Sequence, residues 1–170
     1  MAKIIMVTGG QRSGKSELAE QLTIELSAKP LYIATAVITD DEMARRVEAH
    51  RQRRGQRWRL AEESLWPSRH ISPGDTALLD SITTWMTNLL LHYEEDAEKA
   101  LDAFKSETTR MASIEGATVI AVTDEIGLGG ISPNPLQRKF TDLQGSANRY
   151  LADTASEVYL TVSGIPIKIK

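Results

Sequence analysis

The sequence predicts a three-layer α/β domain in which helices cover both faces of a mostly parallel sheet. Strand-length apolar runs alternate with amphipathic segments of helical length along the whole chain, which is the pattern of repeated β–α units. Each run is almost continuously apolar, as expected of parallel strands buried on both faces. No repeat, low-complexity tract or flexible linker interrupts the pattern, so residues 1–170 are expected to form a single domain.

The first third of the chain alternates between strand and helix signals. The strands are short runs rich in Ile, Leu and Val, and the helices carry apolar residues at three- to four-residue spacing. Pro30 and Gly55 are expected to end helical segments. The predicted order is a strand at 3–8, a helix at 15–27, a strand at 31–34, a helix at 40–55 and an extended piece at 58–61.

The remaining two thirds continue the alternation. The run from Thr118 to Thr123 is the clearest strand signal of all, and it ends at two acids, Asp124 and Glu125. Segments rich in Pro, Gly and Ser predict loops at 67–74 and 127–135. The other predicted elements are a strand at 77–80, helices at 82–91, 97–114 and 136–155, a strand at 158–162 and a last short strand at 165–169.

Composition and charge exclude several classes of function. The chain has no cysteine, which removes disulfides, thiolate metal sites and thiol catalysis and suits a cytoplasmic location. The formal charge is 20 − 23 = −3, so no overall attraction to nucleic acid or to an anionic membrane is expected. The apolar run at the N-terminus is too short for a secretory signal, and no run has the length of a membrane span. We therefore expect a soluble protein with no nucleic-acid partner.

The most specific motif lies between the first predicted strand and the first predicted helix. Its glycines let backbone N–H groups curl around phosphate oxygens, and the helix N-terminus adds its positive dipole end. Lys15 is expected to reach the β- and γ-phosphates, and the Ser16 hydroxyl to ligate Mg²⁺. Because a strand and a helix flank the motif, we predict a P-loop NTPase-like α/β/α fold with a nucleoside triphosphate substrate. The motif is Gly9-Gly10-Gln11-Arg12-Ser13-Gly14-Lys15-Ser16.

Asp80 is a second candidate at the same site. It closes the predicted strand 77–80, and the carboxyl ends of parallel strands face the ligand crevice of open α/β sheets. Its carboxylate is expected to hold Mg²⁺ through water, or to contact the nucleotide sugar or base. The alternative is a structural role as the N-cap of the helix that starts at Ile82, and the two roles are compatible.

A basic block follows the second predicted strand. Seven arginines stand against one acid between residues 45 and 59. On a helix, Arg46, His50 and Arg54 share a face. The guanidinium charges disfavour the imidazolium form, leaving a neutral nitrogen able to attack phosphorus, and they also neutralise phosphate oxygens. The alternative is that His50 is a polar surface residue on an arginine-rich helix. His70 and His92 lack such surroundings and are expected to be structural.

An ordered set of short motifs runs through nearly the whole chain. Beyond the loop at 8–16, it comprises 32–36, 40–43 with Arg46 and His50, Trp58, Arg59, Glu62, 78–83, Trp85, Asn88, 125–127, Arg138, Phe140, Asp142, Gly145, Asn148 and 163–168. In this order the motifs resemble the bifunctional adenosylcobinamide kinase/adenosylcobinamide-phosphate guanylyltransferases of cobalamin biosynthesis. The set is far more specific than the phosphate loop, which many families share.

The resemblance implies substrates and roles for several of these residues. It implies a covalent guanylylation site at His50 and GTP phosphates bound at 9–16, with ATP often accepted in the kinase step. The implied acceptors are adenosylcobinamide and adenosylcobinamide phosphate, the implied cofactor is Mg²⁺, and the implied assembly is a homotrimer with nucleotide sites near subunit boundaries. Around the nucleotide the resemblance implies Ala34, Thr35, Ala36, Arg51, Gln52, Arg53, Arg54, Glu62 and Asp80.

Two features depart from the family's pattern. Asp124 stands where the family commonly has asparagine, and the loop 128–133 is one residue longer. Both changes bear on the acceptor more than on the reaction. Separately, the sequence leaves open whether Glu125 and Asp142 are catalytic or pair with Arg138. From the residues alone, two other functions also stay open. One is a kinase of another metabolite with no histidine adduct, and the other is a GTP-dependent binding or switch protein.

Overall fold

The computed structural model describes residues 1–37, Arg45, Glu48 and 55–170. The helix predicted at 40–55 therefore lies outside the described residues, apart from Arg45, Glu48 and Gly55. The same holds for His50 and for the nucleotide-binding candidates Arg51, Gln52, Arg53 and Arg54. These predictions stay predictions.

Seven strands in the described residues form one sheet. Their order is β3-β2-β4-β5-β1-β6-β7, and all neighbours pair in parallel except β6 and β7. The mostly parallel sheet predicted from the sequence is thus confirmed. The strands are β1 (Lys3–Gly9), β2 (Leu31–Ala34), β3 (Arg59–Glu62), β4 (Thr76–Asp80), β5 (Thr118–Asp124), β6 (Glu157–Val162) and β7 (Ile165–Lys168).

Four longer helices lie between these strands in the described ranges, and most of them begin at a polar cap. The Ser81 hydroxyl, the Asp96 carboxylate and the Asn134 side chain each accept a hydrogen bond from a backbone N–H of the first turn, which satisfies donors that a helix leaves unpaired. The N-cap role considered for Asp80 is therefore taken by Ser81. The helices are α1 (Lys15–Leu26), α2 (Ile82–His92), α3 (Ala97–Ser113) and α4 (Pro135–Thr154).

The helices cover both faces of the sheet, which confirms the three-layer arrangement. On one face, α1 contributes Leu18, Ala19 and Leu22 to a cluster with residues of β1, β2, β4 and β5. On the other face, α2, α3 and α4 enclose a larger core around Trp85 and Phe104, both completely buried. Burial of each large apolar side chain contributes about 1.5–3 kcal/mol, so these two clusters fix the strand ends on which the site is built.

The observed boundaries differ little from the predicted ones. The predicted loops at 67–74 and 127–135 contain short 3₁₀ turns at Pro67–His70 and Ile126–Gly129. None of the helices in the described part of the chain combines the length and apolar character that a bilayer crossing requires.

Candidate active site

The carboxyl ends of five parallel strands meet at one edge of the sheet. Gly9 at the end of β1 lies opposite Asp124 at the end of β5. Ala34 at the end of β2 lies between Glu62 of β3 and Asp80 of β4. The structure therefore brings the glycine-rich loop, the 34–36 segment and three strand-ending carboxylates to the same edge, where open α/β sheets bind ligands.

Close packing dictates two glycines of the phosphate loop, Gly9 and Gly14. A Cβ on Gly9 would lie 2.5 Å from Ser13 Oγ and 2.6 Å from the Thr161 carbonyl oxygen, so no larger residue fits there. Gly14 has φ +91° and sits immediately before α1, where its Cβ would come within 3.1 Å of Gly164 Cα. The Gly164 N–H in turn donates to the Ser13 carbonyl at 2.8 Å. The β6–β7 turn thus supports the loop from behind.

Lys15 is held at the mouth of this loop by two oxygen acceptors. Its Nζ donates to the Gly10 carbonyl at 3.0 Å and lies 2.6 Å from Asp124 Oδ1. The side chains of Lys15 and Asp124 are 12% and 27% exposed, so the ion pair is partly shielded from solvent. The ammonium is therefore already positioned beside the backbone N–H groups of the loop, where an anionic phosphate would join it.

The loop also contains a buried hydroxyl without a partner. Ser13 is 7% exposed, and its Oγ makes no hydrogen bond within the described structure. Native proteins leave few buried polar atoms unsatisfied, so such an atom in a phosphate loop is consistent with a ligand contact. Ser16, in the first turn of α1, is half-buried close by.

Asp80 is fixed by a tyrosine at the end of β4. The Tyr32 hydroxyl donates to Asp80 Oδ2 at 2.5 Å, and Trp58 packs edge-on against the Tyr32 ring at a centroid distance of 5.8 Å. The Thr35 N–H donates to the Asp80 carbonyl at 3.1 Å. Asp80 is thereby tied to the 34–36 segment, whereas the carboxylate that contacts Lys15 is Asp124.

Glu125 and its partners form the part of the site that sequence reasoning assigned least clearly. Glu125 Oε1 accepts hydrogen bonds from Thr8 Oγ1 at 3.0 Å and from Asn148 Nδ2 at 3.1 Å. Asn148 Oδ1 accepts from Thr123 Oγ1 at 2.7 Å and from Gln144 Nε2 at 3.0 Å. This network joins β1, β5 and α4. The available signal was the pair of acids that ends β5, but the partners of Glu125 lie 117 and 23 residues away.

The question of whether Arg138 pairs with Glu125 or Asp142 has a geometric answer. Arg138 Nη1 donates to the carbonyl oxygens of Ser132 and Pro133, both at 2.9 Å. Arg138 therefore holds the loop that precedes α4. Its hydrogen bonds go to backbone carbonyl oxygens and not to the carboxylate of Glu125 or Asp142.

A large cleft opens next to Glu125. It lies between α4 and the loop at 126–132, and its cavity volume is about 960 Å³, which is at the upper end of small-molecule sites. Thr8 of β1 and Glu125, which directly follows β5, line it together with Gly145 and Arg149 of α4. The cleft is therefore continuous with the edge of the sheet that carries the phosphate loop.

The two described histidines contact residues outside the phosphate loop. His92 ends α2, and its ring packs against Trp66 and Tyr93 at centroid distances of 6.1 and 4.8 Å. His70 Nε2 contacts Glu63 Oε2 at 3.2 Å. Burial, the largest single effect on the Glu63 carboxyl, raises its pKa, but hydrogen bonds from Trp66 and Leu65 N–H and from His70 together lower the pKa. Both histidines have structural surroundings, as predicted.

Comparisons with known proteins agree over nearly the full chain. A family model described as "Cobinamide kinase / cobinamide phosphate guanyltransferase" matches residues 5–169. The chain is 43% identical over 181 residues to "Bifunctional adenosylcobalamin biosynthesis protein CobU" of Escherichia coli (strain K12), covering 98% of this chain and 99% of that protein. It is 36% identical over 169 residues to "Bifunctional adenosylcobalamin biosynthesis protein CobP" of Pseudomonas aeruginosa, covering 97% and 96%.

Solved structures of low sequence identity share the fold. A type III secretion system ATPase of pathogenic bacteria superposes with a TM-score of 0.52 at 12% identity, covering 93% of this chain and 50% of that chain. A structure titled as a study of PH0250 from Pyrococcus horikoshii OT3 superposes with a TM-score of 0.54 at 8% identity, covering 99% and 86%. At these identities the likeness concerns the fold alone.

Proposed function

The chain belongs to the cobinamide kinase/cobinamide phosphate guanylyltransferase family of adenosylcobalamin biosynthesis, and we propose that it performs both reactions in turn, the second through a guanylylated His50. In the first, the alcohol oxygen of adenosylcobinamide attacks the γ-phosphorus of GTP or ATP. The bond to the bridging oxygen breaks, and the nucleoside diphosphate leaves with that electron pair.

One observation carries the kinase half of the proposal. The Lys15 ammonium lies between the Gly10 carbonyl and Asp124 at the N-terminus of α1, beside a loop in which Gly9 and Gly14 leave little room for a Cβ. Phosphoryl transfer depends mainly on positioning and on neutralising charge in the transition state. Lys15, the loop N–H groups and the α1 dipole supply both for the transferred group.

Mg²⁺ fits the side chains at this edge. In the described part of the chain, no cluster of three acidic or histidine side chains forms a ready-made metal site. An ion that arrives with nucleotide keeps several waters and needs only one or two protein oxygens, and Ser16 together with Asp80, the latter through water, would provide them. The bound ion would neutralise charge on the phosphate oxygens.

The second reaction assigns a covalent role to His50. Its neutral nitrogen attacks the α-phosphorus of GTP, pyrophosphate leaves, and a guanylyl–histidine bond forms. The phosphate of adenosylcobinamide phosphate then displaces the histidine and gives adenosylcobinamide-GDP. Family membership and the surrounding arginines of the sequence support this role. We further propose that Ala34, Thr35, Ala36, Glu62, Asp80 and residues 51–54 surround the nucleotide, with residues 1–170 as a single domain.

Intact-protein mass spectrometry after incubation with GTP and Mg²⁺ tests the proposal. The wild-type chain should gain one acid-labile guanylyl group, and His50→Ala should gain none while keeping most of its kinase activity. His70→Ala is the matched control, because His70 lies on the 3₁₀ turn Pro67–His70 and contacts Glu63 after the edge strand β3, four strands from β1 and the phosphate loop, and it should form the adduct normally. If the wild-type protein binds GTP without forming an adduct, the proposed guanylyl transfer is wrong. A kinase of another kind or a GTP-binding module would then be the better assignment.

Assembly and location complete the proposal. We propose a cytoplasmic homotrimer with no nucleic-acid partner. Light scattering of the purified protein tests the trimer, and the formal charge of −3 gives no electrostatic reason for nucleic-acid binding. A salt-sensitive complex with RNA or DNA would contradict this expectation.

A further inference from the structure

None of the residues that line the cleft beside Glu125 belongs to the proposed nucleotide-binding set. The cleft is therefore a candidate site for a second ligand. The Lys15 ammonium and the phosphate loop lie at the ends of β1 and β5. The cleft is lined by the neighbours of these residues in the chain, Thr8 before Gly9 and Glu125 after Asp124, and by residues of α4. A molecule in the cleft would therefore lie next to the strand ends that carry the phosphate loop and Lys15.

Glu125 is arranged as a hydrogen-bond acceptor in the lining of this cleft. Two donors, Thr8 Oγ1 at 3.0 Å and Asn148 Nδ2 at 3.1 Å, bind the same carboxylate oxygen, Oε1. Among the described residues, Oε2 has no hydrogen-bond partner. One oxygen thus fixes the carboxylate, and the other remains available to a ligand in the cleft.

Gly145 gives a second, independent indication of a ligand. It lies in the middle of α4, where glycine costs about 1 kcal/mol relative to alanine. A Cβ built on Gly145 meets no atom within 4 Å, so packing within the described chain does not require glycine there. Gly145 lines the cleft, and glycine in a regular element often marks the close approach of another molecule.

We infer that the cleft binds the acceptor, an amide-bearing corrinoid with a terminal alcohol, and that Glu125 Oε2 takes the proton of that alcohol. This inference rests on the proposed kinase function. As the acceptor oxygen bonds to the γ-phosphorus, its O–H bond breaks and the proton passes to Glu125. The nucleoside diphosphate leaves with the electrons of the broken P–O bond, and Glu125 later returns the proton to water. Thr8 and Asn148 act as positioning residues.

The second reaction does not need this base. Its nucleophile is the phosphate of adenosylcobinamide phosphate, which is largely ionised near neutral pH because its second pKa is about 6. Removing the carboxylate should therefore separate the two activities of the enzyme, which a general loss of structure would not do.

Glu125→Gln is the decisive variant. Glutamine keeps an acceptor oxygen for Thr8 and Asn148 but cannot take a proton. The kinase rate at saturating adenosylcobinamide should fall by about 100-fold or more, while guanylylation by GTP and GMP transfer to chemically prepared adenosylcobinamide phosphate stay within about twofold. Glu98→Gln, at an exposed position of α3, is the control with normal kinase activity. A kinase rate within about threefold of wild type, or an equal loss of both activities, would overturn the inference.

A pair of substitutions at Gly145 tests the cleft itself. Gly145→Leu extends a side chain into the cleft and should raise the KM for adenosylcobinamide at least about tenfold with unchanged GTP affinity, whereas Gly145→Ala, which adds only a Cβ at the same point, should raise the KM by a smaller factor. An unchanged KM in Gly145→Leu, or a loss of assembly instead of acceptor affinity, would overturn the assignment and mark the cleft as a contact between copies of the chain. Failure of the wild-type protein to phosphorylate adenosylcobinamide would instead refute the proposed function.

Discussion

Replacing Asn148 with aspartate would set a second carboxylate against Glu125 without changing the size of the side chain. Asn148 Nδ2 donates to Glu125 Oε1 and to the Asp124 carbonyl, both at 3.1 Å, and Asn148 is only 5% exposed. Two full charges 3.1 Å apart repel by about 5 kcal/mol at an effective dielectric constant of 20. The folded protein would avoid this repulsion by keeping one proton on the pair.

That proton sets an upper limit on the destabilisation. Aspartate in the unfolded chain has a pKa of about 3.9, so holding the pair protonated at pH 7 costs at most about 4 kcal/mol, and at pH 5 about 1.5 kcal/mol. Because the folded state binds the proton more tightly than the unfolded state, stability relative to wild type is greatest below about pH 4. It is lost as the pH rises through the raised pKa of the pair.

Urea denaturation of Asn148→Asp and Asn148→Ala at pH 5 and pH 7 measures this effect. We expect Asn148→Asp to lose about 2–3 kcal/mol more at pH 7 than at pH 5, each value taken relative to wild type at the same pH. Asn148→Ala breaks the same hydrogen bonds without adding charge, and should lose about 1–3 kcal/mol at both pH values. A penalty for Asn148→Asp that does not change with pH would refute the proximity of residue 148 to Glu125.

Three further substitutions test the loop, the sheet edge and α4. Gly14→Ala should lose about 1–3 kcal/mol of unfolding free energy and should bind GTP more weakly. The reason is that φ at this position is +91° and the new Cβ would lie 3.1 Å from Gly164. A variant as stable as wild type in urea denaturation would contradict this strain. Hydrogen bonds from Lys168, Lys3 and Tyr159 lower the pKa of Glu157 to about 2, so this carboxylate stabilises the fold above pH 4.5 and the effect is lost as the pH falls toward 2. Wild type should therefore exceed Glu157→Gln by about 1 kcal/mol at pH 6, with less difference at pH 3, since the lysines are half exposed; an equal difference at both pH values would contradict the assignment. Gly145→Ala should raise the unfolding free energy by about 0.5–1 kcal/mol, and a loss of stability would show that the added Cβ has no free space.

Elements with strong local signals were predicted well. β1 and β5 are continuous apolar runs whose burial shows in the sequence, and α1 carries its leucines at helical spacing. The antiparallel direction of β7 was not predicted. It depends on the turn at Ser163–Gly164, where both residues have positive φ, and on pairing with β6. A short, exposed edge strand carries little periodic signal of its own.

The sequence by itself determined the phosphate loop, because its glycines, lysine and serine act within eight consecutive residues that lie between a strand and a helix. It also indicated that strands end in carboxylates at Asp80 and Asp124. Which carboxylate meets Lys15 was decided by the tertiary structure. Packing of the two core clusters places β5, not β4, beside β1, so Asp124 forms the ion pair and Glu125 joins Thr8 and the cleft. Strand order is a long-range property of the whole core, and no local spacing encodes it.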